Sequence, residues 1–187
     1  MAFFAHSSNT GPVAPVRDHL MAVANLSEEY TAKTPWAAEA RLAGLLHDLG
    51  KYGDAFRRRL EGKESGVDHW SAGAWLALRM RCAGAALAIQ GHHIGLQHLD
   101  LQSLARLDPR ELTKHHPFGL RLSAESLDDL QARFKADGLG LPDAEHPMLG
   151  RSLSSTVPVM LDVRCLFSAL VDADFLDTEA RNQDERG

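Results

Sequence analysis

Apolar residues recur at the three- and four-residue spacing of an α-helix along nearly all of this 187-residue chain. In a first segment, at about 15–30, one face carries Val16, His19, Leu20, Val23 and Leu26. We find no convincing alternation of apolar and polar residues with the period of two that a half-buried strand shows. The pattern predicts an all-α globular helical bundle, and the length suits one domain over 1–187.

The remaining helices are predicted at about 36–49, 52–60, 101–106, 123–136 and 157–177, with one more beginning at His69. Thr34 and Pro35 favour the start of the helix at 36–49, and Gly50 is expected to end it. Asp68 is placed to cap the helix that begins beside it. The segment 97–150 is richer in turn residues, so we interpret it as a looser elaboration of the same domain.

The composition narrows the class of protein. A net charge of −5 argues against coating nucleic acid by bulk charge, although a local basic groove at Arg57, Arg58 and Arg59 stays open. No apolar run approaches the roughly 20 residues that cross a bilayer, and the first ten residues lack a signal-peptide pattern. Cys82 and Cys165 lie in predicted helices and are expected to be buried and unpaired. We therefore expect a cytoplasmic protein with no membrane partner.

Polar side chains of the kind that bind metals repeatedly face the predicted core. His19 lies on an apolar helical stripe, and His47 shares a face with Trp36, next to Asp48. Four residues farther along the chain complete the set: His69, His92, His93 and Asp174. A buried carboxylate costs several kcal/mol unless compensated, and each buried imidazole needs a partner. Metal ions supply one common partner for all of them.

The donor set narrows the choice of metal. Imidazole with carboxylate, and without thiolate, suits Mn, Fe, Co, Ni or Zn better than Mg or Ca. Seven ligands are too many for one tetrahedral site, so two divalent ions that share a bridging carboxylate fit better, and Asp48 is placed for that bridge. The positive charge of two divalent ions exceeds the negative charge of two carboxylates. The site would therefore carry a net positive charge and attract a phosphate group.

Five motifs carry a resemblance to a known family. They are, in chain order, FAHSS, LLHDLGK, DHWSAGA, GHHIGL and LFSALVDADFLDTE. The set resembles the HD phosphohydrolase superfamily and, within it, the HD nuclease of type I CRISPR interference, which occurs as a separate subunit or fused to a helicase. The resemblance covers most of the chain apart from 97–150.

The resemblance implies a first metal on His19, His47, Asp48 and Asp174 and a second on Asp48, His69, His92 and His93. It also implies that Lys51 lies near the bound phosphate. The alternative is that this lysine complements the dipole at the end of a helix. Two further alternatives remain at this point. Asp172 lies in the same VDAD segment as Asp174 but is turned about 200° away on the helix, and His115 with His116 forms a second adjacent pair.

The implied activity is metal-dependent endonuclease or exonuclease cleavage of single-stranded DNA, through two-metal activation of a bridging water. The implied partners are a helicase subunit or domain and a guide-RNA surveillance complex. The chain has no GxxxxGK[ST] phosphate loop, so a helicase would lie outside it. Two alternatives are a nucleotide or cyclic-nucleotide phosphohydrolase of the wider superfamily and a catalytically silent interaction module that uses metals only to fold.

Overall fold

Eight α-helices, one 3-10 turn and four short strands are present in the part of the chain that the computed structural model describes. That part comprises residues 2–8, 11–97, 106–124, 126–142 and 156–184. The helices are α1 (Val16–Tyr30), α2 (Ala37–Leu46), α3 (Asp54–Leu60), α4 (Ser71–Arg79), α5 (Ala83–Ile94), α6 (Pro109–Lys114), α7 (Leu127–Ala136) and α8 (Thr156–Asp184). The predicted all-α class is confirmed, and α1, α2, α5 and α8 enclose the main apolar core.

Two small sheets were not predicted from the sequence. Strand β1 (Phe4–Ser8) pairs antiparallel with β2 (Gly11–Pro15), and β3 (Val67–Asp68) pairs in parallel with β4 (Arg121–Leu122). Strands this short show too few residues for a two-residue alternation to be visible. The first sheet leads directly into α1, and the second anchors the segment before α4.

The helix predicted at 36–49 is shorter than expected. It ends at Leu46, and His47 and Asp48 lie in a turn before the 3-10 turn Leu49–Tyr52. Gly50 therefore does not end the helix. Its amide donates to the His69 carbonyl at 2.9 Å, and a Cβ at this position would lie 2.5 Å from that oxygen. Only glycine permits this approach, which joins the turn to the backbone of His69.

Side-chain caps explain other boundary differences. The Asp68 carboxylate accepts hydrogen bonds from the amides of Trp70 and Ser71, both at 2.9 Å, so its capping role is confirmed although α4 begins at Ser71. Helix α7 begins four residues later than predicted, because the Ser126 hydroxyl caps it. The short helix α6 was not predicted, although Asp108 caps it and Pro109 occupies its first position.

The remaining predictions concern the later helices, the two cysteines and membrane-spanning segments. Helix α8 extends past the predicted 157–177, and the helix predicted at 101–106 lies almost entirely outside the described residues. Cys82 is buried, but Cys165 is exposed on the outer side of α8, so its predicted burial was wrong. Not one of the described helices combines the length and hydrophobicity that spanning a membrane requires. The division of the chain into one domain with an elaboration at 97–150 stays a prediction.

Candidate metal centre

A first cluster forms where α1, the turn after α2 and α8 meet. His19, His47, Asp48 and Asp174 each offer one ligand atom there, and these atoms lie within 4.8 Å of one another. From His19 Nε2 the distances are 3.2 Å to His47 Nε2, 3.3 Å to Asp48 Oδ2 and 3.5 Å to Asp174 Oδ1. The first predicted ligand set is therefore brought together from three separate elements.

A second cluster lies on the other side of Asp48. Its ligand atoms come from Asp48, His69 and His93 and also lie within 4.8 Å of one another. Asp48 Oδ1 is 3.4 Å from His69 Nε2 and 4.0 Å from His93 Nε2. His92 lies beside this group, with its Nε2 3.7 Å from the same oxygen. The other six predicted ligands are thus grouped around the carboxylate of Asp48.

Asp48 joins the two clusters through its two oxygens. Oδ2 faces His19 and His47, whereas Oδ1 faces the histidines of the second cluster. Oδ1 is buried and accepts no hydrogen bond from the described residues, and His92 Nε2 is likewise buried without a partner. Leaving such atoms unpaired costs about 1–3 kcal/mol each, so a cation between them would remove a penalty.

The outer ring nitrogens of three of these histidines lie close to backbone acceptors. The Nδ1 atoms of His47 and His92 donate to the Gly44 and Ile89 carbonyls at 2.8 and 2.6 Å, and His69 Nδ1 is 3.3 Å from the Val67 carbonyl. In the neutral ring this places the Nε2 lone pair toward the cluster, as in many metal-binding histidines. Lone pairs of adjacent rings that face one another repel unless a proton or a cation lies between them.

The electrostatics of the first cluster favour positive charge. Burial lowers the pKa of His47, but the Asp48 and Asp174 carboxylates outweigh burial and raise it to about 10. Burial opposes ionisation of Asp174, but the neighbouring His47 outweighs it and lowers the pKa of that carboxyl. For Asp48, Lys51 and His47 outweigh the effect of burial and hold its pKa well below the ordinary value. The space between these groups stabilises a cation.

The second cluster has neutral imidazoles. Burial lowers the pKa of His69 to about 4, against an opposing effect of Asp48, and burial with the nearby His92 lowers that of His93 to about 3. Unprotonated imidazole is the form that binds a metal. Both clusters therefore fit divalent ions on donor type, burial and charge.

The chain was also compared with known protein families. Residues 16–130, more than half of the chain, match the family described as HD domain. The chain belongs to the HD domain family. No match was found among curated proteins. The HD domain with its His/Asp cluster indicates a metal-dependent phosphohydrolase, and the cluster could hold divalent metal ions, as HD domains do.

Lys51 lies next to Asp48, the carboxylate that the two clusters share. Its ammonium is 2.7 Å from Asp48 Oδ2 and is almost fully buried. The sequence interpretation placed Lys51 on the side of His47 on the condition that the helix continued. The helix does not continue, and the 3-10 turn instead brings the two side chains of Asp48 and Lys51 together.

The structure also shows where the two alternatives to the predicted ligands lie, namely Asp172 and the pair His115 and His116. Asp172 is exposed and lines a separate groove of about 790 Å³ between α8 and the segment that joins α1 to α2, whereas Asp174 lies in the first cluster. His116 Nε2 donates to Asp68 Oδ2 at 2.8 Å, and His115 is exposed. His116 therefore supports the Asp68 carboxylate that caps the start of α4, and neither histidine of KHHPFG lies in the clusters.

Two residues at the candidate metal centre, Asp177 and His6, were not predicted from the sequence. Asp177 Oδ2 accepts from His19 Nδ1 and from Arg181 Nε, each at 2.7 Å. Burial raises the pKa of Asp177, but these two donors outweigh it and lower it. Its spacing of three residues from Asp174, on the same helical face, was the available signal. His6 of the FAHSS motif lies on β1 with its ring 5.3 Å from that of His19, and burial with Lys51 lowers its pKa to about 4.

A cavity of about 350 Å³, here called the site cavity, connects the clusters to the surface. Its walls include His6, Lys51, Phe56 and Arg59 together with ligand residues of both clusters. The side chains of His93 and Asp174 are 37% and 26% exposed, so a solvent-borne phosphate can reach both clusters from this side.

Asp177→Asn is expected to weaken metal binding at the first cluster by about 10–100-fold while the protein stays folded. The amide keeps the shape of the side chain but loses the charge that orients His19 and matches Arg181. Isothermal titration with Mn²⁺ measures the effect, with Asp172→Asn as the matched control on the same helix. Unchanged affinity in Asp177→Asn would show that this carboxylate does not position His19.

Proposed function

We propose that this HD domain is a metal-dependent nuclease that hydrolyses the phosphodiester bonds of single-stranded DNA. The observation that carries the proposal is the position of Asp48, whose oxygens face two separate histidine-containing clusters. This arrangement suits two divalent ions that act on one phosphate. The five motifs that resemble the type I CRISPR nuclease support the choice of single-stranded DNA as substrate.

Residues from both sides of Asp48 would hold the ions. The first ion would take His19, His47, Asp48 and Asp174, and the second would take Asp48, His69, His92 and His93. The donor set favours Mn, Fe, Co or Ni over Mg, with Zn also compatible. When bound, such ions polarise the phosphoryl group and lower the pKa of the attacking water.

The protein's own groups prepare the site for this chemistry. Lys51 holds Asp48 Oδ2 at 2.7 Å and so keeps the carboxylate between the clusters. Lys51 also lines the site cavity, where it is placed to donate to a non-bridging phosphate oxygen. Asp177 fixes the ring of His19 in the same way. Groups held rigidly before the substrate arrives need no reorganisation when charge develops on the phosphate.

Substrate engagement is expected to depend on the sugar-phosphate backbone and therefore on salt. We further propose that a helicase subunit or domain feeds the strand and that a guide-RNA surveillance complex exposes it. The support for these partners is the same motif resemblance.

A nucleotide or cyclic-nucleotide phosphohydrolase is the second candidate. The observation in its favour is the volume of the site cavity, about 350 Å³, which lies within the range of about 300–1,000 Å³ found for small-molecule pockets. The partial exposure of His93 and Asp174 favours the nuclease, because a polymer must reach the ions from outside.

A divalent-ion screen tests the proposal. Chelator-treated protein would be incubated with Mn²⁺, Co²⁺, Ni²⁺, Zn²⁺ or Mg²⁺ and with circular single-stranded DNA, mononucleotides or cyclic nucleotides. We expect cleavage of the circles, lost in His47→Ala and retained in His115→Ala, which removes an exposed histidine outside the clusters. Hydrolysis of nucleotides alone would favour the second candidate, and DNA cleavage by His47→Ala would contradict the site assignment.

A further inference from the structure

Arg59 differs from the two arginines that precede it on α3. Arg57 Nη2 lies 3.7 Å from Asp54 Oδ1, and Arg58 Nε donates to Glu64 Oε2 at 2.7 Å. Arg59 is exposed, and no carboxylate of the described ranges lies within ion-pair distance of it. It is also the one of the three that lines the site cavity. Its charge is therefore available to a ligand.

Phe56 fixes the place of Arg59 relative to the clusters. The buried Phe56 ring lies with its centroid 5.4 Å from Arg59 Cζ, 5.8 Å from Lys51 Nζ and 5.0 Å from the His69 ring centroid. The guanidinium, Lys51 and His69 of the second cluster thus all lie close to one aromatic ring. Stacking on an aromatic face restrains a guanidinium while its edge keeps its N–H donors.

We propose that Arg59 binds the phosphate adjacent to the scissile one, so that the site cavity takes a strand with at least two consecutive phosphates. This inference rests on the proposed nuclease function and names the part of the substrate that the clusters do not reach. The edge of a guanidinium matches two phosphate oxygens, which makes an unpaired arginine at a cavity mouth a suitable anchor. A mononucleotide would leave this position unused.

Short oligothymidylates test the proposal directly. TpT has one phosphate, whereas TpTpT has a neighbouring phosphate for Arg59. With Mn²⁺-loaded protein we expect kcat/KM for TpTpT to exceed that for TpT by about 10-fold, the typical effect of one charged hydrogen bond. Arg59→Gln should abolish this preference by raising the KM for TpTpT to the value for TpT. Arg58→Gln removes the same charge from the adjacent position and should keep the preference.

Binding gives a second readout that needs no turnover. The affinity of chelator-treated protein for labelled oligothymidylate would be measured by fluorescence anisotropy at several salt concentrations. Loss of one phosphate contact lowers the slope of log Kd against log salt by about 0.7 for a single strand. We expect that change in Arg59→Gln and not in Arg58→Gln.

The outcomes separate this inference from the proposed function. If the wild type cleaves DNA but Arg59→Gln keeps both the TpTpT preference and the salt slope, the role of Arg59 is wrong and the nuclease stands. If the wild type cleaves no DNA, the nuclease proposal fails, and the salt slope alone decides whether Arg59 contacts phosphate. Equal losses in Arg59→Gln and Arg58→Gln would also overturn the inference, because they would indicate general charge.

Discussion

Asp48→Asn is expected to abolish metal binding at both clusters and to lower phosphodiester turnover by at least about 10³-fold. One oxygen of Asp48 faces His19 and His47, and the other faces His69, so one substitution removes a ligand from each cluster. Bound metals contribute several kcal/mol of transition-state stabilisation, and each 1.4 kcal/mol is tenfold in rate. Metal analysis and turnover on circular DNA, measured on the same preparation, check the expectation.

The substitution also leaves the buried Lys51 ammonium without its carboxylate, so folding must be followed separately. Circular dichroism provides that measurement, and Asp174→Asn provides a second variant whose carboxylate is more exposed. Asp172→Asn, on the same helix but away from the clusters, is the matched control and should retain both metals and activity. Full metal content in Asp48→Asn would contradict the bridging role.

Each bound metal ion is expected to stabilise the folded protein by about 2.7–4.1 kcal/mol at free concentrations of 100–1,000 times Kd, because it binds the folded state alone. For a chain of this size that free energy corresponds to a rise in Tm of roughly 5–15 °C. The physical source is the pair of buried atoms, Asp48 Oδ1 and His92 Nε2, that have no hydrogen-bond partner among the described residues and that the ions would satisfy. Thermal unfolding of chelator-treated protein with and without Mn²⁺ measures the shift.

Metal analysis of further variants, together with their thermal unfolding, gives the number of ions. His19→Gln and His69→Gln each disturb one cluster and should each reduce the metal content from two ions to one. His115→Gln, at an exposed position, should change neither metal content nor Tm. A wild type that is not stabilised by any divalent transition metal would contradict the metal centre as a whole.

Much of the fold followed from local patterns. The bounds of α1 were predicted within one residue, and the capping of α4 by Asp68 was confirmed. Both depend on residues that are close together in the chain. The two small sheets and the early end of α2 were missed, since they depend on contacts between distant segments. Gly50 is the clearest case, because its role lies in its approach to the His69 backbone.

The sequence by itself determined which side chains are present for the site and which helical faces carry them. It placed His19 and Asp174 on inward faces, and the HD family follows from the match over 16–130. Only the tertiary structure decided that the two oxygens of Asp48 face different clusters, that Asp177 supports His19, and that Arg59 lines the site cavity with no carboxylate of the described ranges in ion-pair distance. The physical reason is that helical periodicity specifies a direction from each helix, whereas distances between atoms on different helices depend on how those helices pack.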